Sequence, residues 1–386
     1  MALAAIALGV ASLILSGGFV QDIVIQLGEA LIHSQSGHLQ INRRGFFEGG
    51  TRSPEKFMLD RPEPVRQLVS VMTEVDDVLA RVSFSGLLSN GRSDLAIIGE
   101  GIEPNREVKL GTYLQVKAGR QLSDQDTYGI LIGNGVARSL KLVPGDQVTL
   151  LVNTAGGALN TLDLEVVGVF QTFSRDFDAR AVRIPLAAAQ TLLDTPGVNT
   201  LVLSLKDTRA TAAVVDRLRQ SLNPAQYEVK AWHELSDFYE KTVDLYERQF
   251  GVLRLIILVM VLLSVANSVN MTVMERVGEF GTMMALGNRR MHTFRLIVIE
   301  SAMLGLAGSA VGVAFGVALA AAISAVGIQM PPPPNADLGY TARIQIVSAE
   351  IALACAVGMA ATVGAAILPA WRATRMPVAE ALRQNG

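Results

Sequence analysis

The stretch ERVGEFGTMMALGNRRM, residues 275–291, sets Glu275 and Glu279 four apart beside Arg276, and places Phe280, Met283, Met284 and Gly287 at i, i+3, i+4 and i+7. On a helix the acidic pair shares an edge and the apolar set shares a face. The chemistry such a face suits is binding. Carboxylates at that spacing meet basic side chains on a partner, and methionines repack when the partner changes shape. Gly281 lets a backbone approach closely, and Gly287 followed by Asn288 stops the helix. Two occupants suit the pattern: a protein partner, or lipid covering an interfacial helix.

Covalent chemistry is not indicated elsewhere. His33, His38, His233 and His292 are scattered without ligand spacing, and Asp176 and Asp178 read as solvated carboxylates. No nucleophile–base set stands out, so no catalytic residue and no metal site are expected. The GxxxxGK[ST] phosphate loop is missing, which places ATP hydrolysis, if the system uses it, in another subunit. Cys355 is the single cysteine and sits in an apolar run, which excludes an internal disulfide or a cysteine-based metal site. A net charge of −2 over 386 residues gives no general pull toward nucleic acid.

The elements that must hold the connector are apolar. Half of the chain is hydrophobic and its mean hydropathy is +0.36. Four runs, at 2–20, 251–274, 296–326 and 346–368, have the length needed to cross a bilayer, about 20 residues. The first has no basic leader segment and continues into Ile23, Leu27 and Leu31 at helical spacing, so it reads as a membrane helix rather than a cleaved signal peptide. Arg276, Arg289, Arg290 and Arg295 follow the second run, and Arg372, Arg375 and Arg383 follow the fourth. The loop between the third and fourth holds only Arg343. Short-loop charge therefore puts the connector and the C-terminal tail in the cytoplasm and the polar domain on the other side. The expected order is a transmembrane helix at 1–20, a polar domain at 21–250, a second helix at 251–274 and the connector at 275–292. A third helix at 293–328, an external loop at 329–345, a fourth helix at 346–369 and a tail at 370–386 complete it.

The polar domain alternates strand and helix signals. HLQI reads as a strand, and GILIGNGVARSLKLVPGDQVTLLV as strand, helix, Pro-Gly-Asp turn and strand. LDLEVVGVFQT is a further strand and RIPLAAAQTLLDT a short helix. NTLVLSLKD, TRATAAVVDRLRQSL and YEVKAW make a strand–helix–strand unit whose helix keeps Ala212, Val215, Leu218 and Leu222 on one face. The fold class is an α-helical integral membrane protein with four transmembrane helices and a large two-lobed α+β extracytoplasmic domain between helices 1 and 2. A lobe boundary is expected near Thr172 to Asp178. Helical stalks on either side of the domain transmit movement or merely hold it off the bilayer.

Within the spans, Gly305, Gly308, Gly312 and Gly316 form small-xxx-small steps for helix packing, inside the subunit or across a dimer. Glu300 is an intramembrane carboxylate that either has a function or pairs with Arg295 near the interface. Arg254 is expected to snorkel toward headgroups. Asn267 and Asn270 suit hydrogen bonds between helices, and Pro331 to Pro334 a stiff external linker.

ERVGEFGTMMALGNRRM resembles the ER..EIG...ALGA....I signature of the MacB/FtsX/Lol-type ABC transporter permeases. IESAMLGLAGSAVGVAFG continues the likeness, and PAWRATRMPVAEALR, residues 369–383, resembles the family ending PA.RA.R..P..ALR. SGHLQI, GIEPNREV, LIGNGVARSLKLVPGDQVTLL and DFDARAVRIPLAAAQTLL look most like the lipoprotein-releasing permeases LolC and LolE. The resemblance implies that 275–292 is a coupling helix docked through Glu275, Arg276, Glu279, Phe280, Gly281, Met283, Met284 and Gly287 on an ABC ATPase subunit. That partner binds ATP and Mg, and this chain holds no cofactor. A second permease subunit, identical or related, would close a twofold assembly. The implied activity is extraction of a lipoprotein or other lipidated cargo from a bacterial inner membrane by mechanotransmission, with the large domain in the periplasm and a periplasmic chaperone or adaptor downstream. Cargo acyl chains would lie against Leu13, Ile14, Ile256 and Leu262. The family also contains MacB-like efflux pumps and FtsX-like signalling permeases that regulate an envelope hydrolase. Its members usually carry a basic amphipathic helix before the first span, whereas this sequence opens almost inside that run. No chaperone-recruiting loop is identified.

Overall fold

The computed structural model describes residues 2–50, 54–154, 156–172, 174–332 and 339–376. Part of the Pro331 to Pro334 linker and most of the tail with its family-like ending, including Arg383, lie outside these. The chain divides into two compact units. One gathers Met1–Ile25, Lys241–Met330 and Thr341–Gly386; the other gathers Gln26–Glu240 and Pro331–Tyr340.

Helix α1 (Ala2–Leu31) opens the chain and continues as wider, π-helical turns over Ile32–Ser36. Then come β1 (Leu39–Arg43), α2 (Glu63–Ser70), β2 (Val75–Ser89), β3 (Asp94–Ile102), α3 (Pro104–Leu110), β4 (Gln115–Gly119), β5 (Gly129–Gly133) and α4 (Asn134–Leu140). They are followed by β6 (Gln147–Asn153), β7 (Leu159–Gln171), α5 (Arg175–Asp178), β8 (Ala181–Pro185), α6 (Leu186–Leu193), β9 (Thr200–Leu205), α7 (Thr211–Ser221) and β10 (Tyr227–Ala231). The last four helices are α8 (Asp237–Glu275), α9 (Val277–Ala285), α10 (Arg290–Val326) and α11 (Ser348–Arg375).

In the α+β unit one hydrogen-bonded path runs β10-β1-β9-β2-β3-β8-β5-β7-β4, and β6 pairs with β2 and β7. Only β3–β8 and β5–β7 are parallel among the described pairs. Strand β2 ties the sheet together: Val75–Arg81 faces β9, residues 82–89 face β3, and residues 86–89 face β6. Neither β2 nor β3 has the plain alternation of a half-buried strand. Arg81 of β2 lies in an unbroken buried run, residues 78–82, and Glu100 of β3 is mostly covered. RIPLAAAQTLLDT, expected as a helix throughout, begins as β8 and turns helical only at Leu186. The inward face of α7 is Thr211, Val214, Val215 and Leu218, with Ala212 exposed. Phe84, Ile130, Ile132, Leu201 and Val214 centre the main core.

In the other unit, four helices, beginning at Ala2, Tyr239, Arg290 and Ser348, are long and apolar enough to cross a membrane. The glycines of α10 line up against its neighbours. A Cβ at Gly308 would sit 2.9 Å from Ile6, at Gly312 2.7 Å from the Ala7 carbonyl oxygen, and at Gly316 3.0 Å from Ala11. The residue numbers of the contacting positions rise together along the two helices, so α1 and α10 run parallel. A Cβ at Gly305 would lie 3.0 Å from Thr362 of α11. These contacts are all within the subunit, and glycine is what lets the backbones come so close.

Candidate functional site

Helix α8 ends at Glu275, and Arg276 breaks the helix with φ −105° and ψ 12° before α9 begins. Gly287 ends the connector at φ +96°, a conformation that a side chain would strain. Its N–H donates to the Met284 carbonyl at 3.1 Å, and the Asn288 N–H donates to that of Met283 at 3.1 Å. Arg276 holds the junction. Its Nε donates to Glu279 at 2.9 Å, its Nη1 donates to both Glu300 oxygens at 2.8 and 3.0 Å, and its guanidinium lies 5.5 Å above the Phe280 ring. Glu300 thus pairs with Arg276, not with Arg295.

The expected face of Phe280, Met283, Met284 and Gly287 is split by the structure. Phe280 and Gly281 turn inward, Phe280 packing in a cluster with Val273, Ile297, Ala366 and Ala370. Both are covered by the chain's own residues. Met283 rests partly on the same cluster, Met284 is half-buried, and Gly287 is exposed. Burying a phenylalanine stabilises by about 1.5–3 kcal/mol. The small residues of α11 leave room for that ring, so the chain's own helices take the apolar face. The outward edge is Glu275, Glu279, Thr282 and Leu286. Leu286 is 85% exposed and was not singled out from the sequence, because it falls off the i, i+3, i+4, i+7 face.

Among the proposed cargo-facing residues Ile14 is buried against α10, which removes it from any such surface. Leu13 is half-buried, whereas Ile256 and Leu262 are exposed. Arg254 does not reach free toward headgroups: its Nη2 lies 3.2 Å from Glu350 of α11.

A second charged arrangement, within the α+β unit, had no local signal in the sequence. Arg81 of β2 and Arg183 of β8 point at the backbone where the π-helical turns after α1 end. Arg81 donates to the Gln35 carbonyl at 2.5 Å and Arg183 to that of Ser34 at 3.2 Å. Arg183 sits opposite Glu100 in the β3–β8 register and donates to it at 3.0 Å. Arg81 donates to both oxygens of Glu107 on α3. Burial opposes the charge on Arg81, but Glu107 and Glu100 outweigh it and raise its pKa. Cations at the carbonyl end of a helix are favourable, and more so when partly dry. Gly37, at φ +66°, then turns the chain into β1.

Nearby, His38 is 1% exposed. Its Nδ1 accepts the Leu205 N–H at 3.1 Å, so its Nε2 carries the proton and donates to Thr208 Oγ1 at 3.2 Å, which in turn donates to Glu29 at 2.7 Å. Burial first, then the neighbouring His33, lowers its pKa to about 4. Asp178, expected at the surface, is buried instead and accepts from the Thr172 N–H and hydroxyl, pinning the bend after β7.

Residues 1–221 match the family model of the MacB-like periplasmic core domain, and residues 251–378 match that of the FtsX-like permease C-terminal region. The chain is similar to the lipoprotein-releasing system transmembrane protein LolE of Haemophilus influenzae, 21% identical over 79% of this chain and 76% of that protein. It is similar to LolC of the same system in Neisseria meningitidis serogroup B, 22% identical over 99% of this chain and 93% of that protein. The macrolide export ATP-binding/permease protein MacB of Rhodopseudomonas palustris is 27% identical over 63% of this chain and 38% of that protein.

Proposed function

The chain belongs to the MacB/FtsX/Lol family of ABC transporter permeases, and on that premise we propose that α9 receives the ATP cycle of a separate ATPase and that this chain uses it to draw lipidated cargo out of the membrane. The observation that carries the docking is the outward edge of the connector. Leu286 is 85% exposed there, with Glu275 and Glu279 exposed along the same stretch and Met284 half-buried beside it. In this reading Leu286 and Met284 supply the apolar part of the contact, and the glutamates select a basic partner surface. Arg276 and Met283 support that edge from beneath and Gly287 ends it, while Phe280 and Gly281 anchor α9 to its own bundle.

ATP and Mg belong to the partner in this reading. Two permease subunits and two ATPases close a twofold assembly. The change travels along α1 and α8, each of which has residues in both units, and these serve as stalks for a two-lobed periplasmic domain. The membrane is the bacterial inner membrane, and Leu13, Ile256 and Leu262 face the acyl chains of the cargo. A lipoprotein is the proposed cargo, since relatives named for lipoprotein release align over most of this chain. The test is reconstitution of the permease–ATPase complex in vesicles with an acylated, labelled lipoprotein and a soluble periplasmic acceptor. ATP-dependent transfer to the acceptor is expected; retention of the lipoprotein with every acceptor tried contradicts the reading.

The match of residues 1–221 to the MacB-like core model favours a second reading, an efflux permease that moves soluble periplasmic substrates. ATP-driven movement of such a substrate with an adaptor present, without lipoprotein release, selects it.

A further inference from the structure

We propose that the groove between α8 and α11 is a seat for one zwitterionic aminophospholipid, with its phosphate on Arg254, its primary ammonium on Glu350 and part of one acyl chain below them. This goes beyond the transport reading, shares only Leu13 with the proposed cargo surface, and rests on the membrane helices.

A cavity of about 280 Å³ is bounded by Arg254, Leu255 and Leu258 of α8, by Glu350, Leu353, Ala354 and Val357 of α11, and by Leu13 of α1. That is near the lower end for small-ligand pockets, about 300 Å³. The α11 residues follow i, i+3, i+4 and i+7, so they form one stripe. From Glu350 to Val357 the stripe runs about 10 Å at 1.5 Å per residue. Both charges stand at the same end of the groove, and apolar side chains continue from them in one direction. Glu350 is in the first turn of α11, which places the pair at the depth where a span begins, the level of lipid headgroups.

The placement of the ion pair leaves room for a ligand. Charges at membrane depth pair with one another and mark paths or seats for polar groups. Here the side chains remain 31% and 26% exposed at a separation of 3.2 Å. Gly17 of α1 backs them: a Cβ there would lie 2.5 Å from Glu350 Oε2 and 3.1 Å from Arg254 Nη2. The outer side stays open, with Leu255 58% and Leu353 50% exposed below it. One cation and one anion side by side above an apolar trough complement a headgroup that carries both charges. Phosphatidylglycerol brings a phosphate for Arg254 and nothing cationic for Glu350. Phosphatidylcholine brings a quaternary ammonium that cannot donate a hydrogen bond to a carboxylate.

The test is native mass spectrometry of the full-length chain released from bilayers containing equal parts phosphatidylethanolamine, phosphatidylglycerol and phosphatidylcholine. The prediction is retained phosphatidylethanolamine in excess over the other two. Glu350→Gln shifts the retained class toward phosphatidylglycerol, and Arg254→Gln with Glu350→Gln removes class preference. Leu353→Trp fills the groove and lowers retention of every class, with thermal unfolding and gel filtration confirming that each variant is folded. Equal retention of the three lipids by the unmodified chain overturns the proposal, as does a preference for phosphatidylethanolamine that survives the double substitution in a folded protein.

Discussion

Arg81–Glu107 in the α+β unit and Arg276–Glu300 in the membrane unit are built from the same two side chains and differ in their surroundings. The first pair is 3% and 6% exposed, the second 32% and 46%. Removing one partner of a buried pair strands a charge in a dry site, at a cost of about 3–5 kcal/mol. Removing one partner of an exposed pair costs about 0–1 kcal/mol. The buried network therefore fixes where the backbone after α1 ends, whereas the exposed one fixes the angle of α9 with little effect on whether the chain folds. A part that must move with a partner belongs in the second class.

Replacing Arg183 with Met breaks the comparison most directly. Glu100 and Glu107 lose a buried cation and the Ser34 carbonyl loses its donor. Unfolding of the full-length protein in detergent, followed by fluorescence and urea titration, is expected to show destabilisation of about 3–5 kcal/mol. Adding Glu100→Met to Arg183→Met should recover part of the loss, because the stranded charge is then gone. A single variant as stable as the parent means that the network is not dry.

His38 sharpens the same contrast through pH. Its pKa falls from 6.5 to about 4 in the fold, so the neutral ring is the form the folded state favours. The stabilisation is present above pH 6.5 and is lost as pH falls through 4. Urea midpoints should drop over that window, and His38→Gln should flatten the drop. An unchanged pH profile in that variant assigns the acid sensitivity to other groups.

Arg276→Gln has the smallest expected effect on folding, under about 1 kcal/mol. Its consequence appears in coupling: ATP-driven cargo release should fall while the urea midpoint stays put, and Arg276→Lys should restore part of it. Loss of stability matching that of Arg183→Met would erase the distinction between the two sites.

What the sequence displayed was local. The four spans, the glycine steps at Gly305 to Gly316 and the helix stop at Gly287 are patterns within a few turns, and spacing alone exposes them. The strand–helix–strand run ending in β10 is similar. The apolar stripe through Phe280 was equally visible, but periodicity says that a face is covered and not by what; the covering turned out to be the chain's own Ile297 and Ala366. Arg254 and Glu300 stand out in the sequence, but their partners do not: Glu300 reads toward the nearby Arg295, whereas Arg276, its partner in the fold, is 24 residues away. The Arg183–Glu100 pair spans 83 residues. Such pairs come from strand register, which no local window contains. Strand β2 was obscured for the same reason: Arg81 reads as a surface residue until Glu107 is brought to it.

The central claim is that the outward edge of α9 is where a separate ATPase binds. Leu286→Glu and Met284→Glu test it by affinity purification of the tagged full-length chain with its ATPase from native membranes, beside Leu286→Met as a control. The account predicts that both glutamate variants insert in the membrane normally and lose the ATPase, while the methionine control keeps it. Full recovery of the ATPase with Leu286→Glu and Met284→Glu contradicts it.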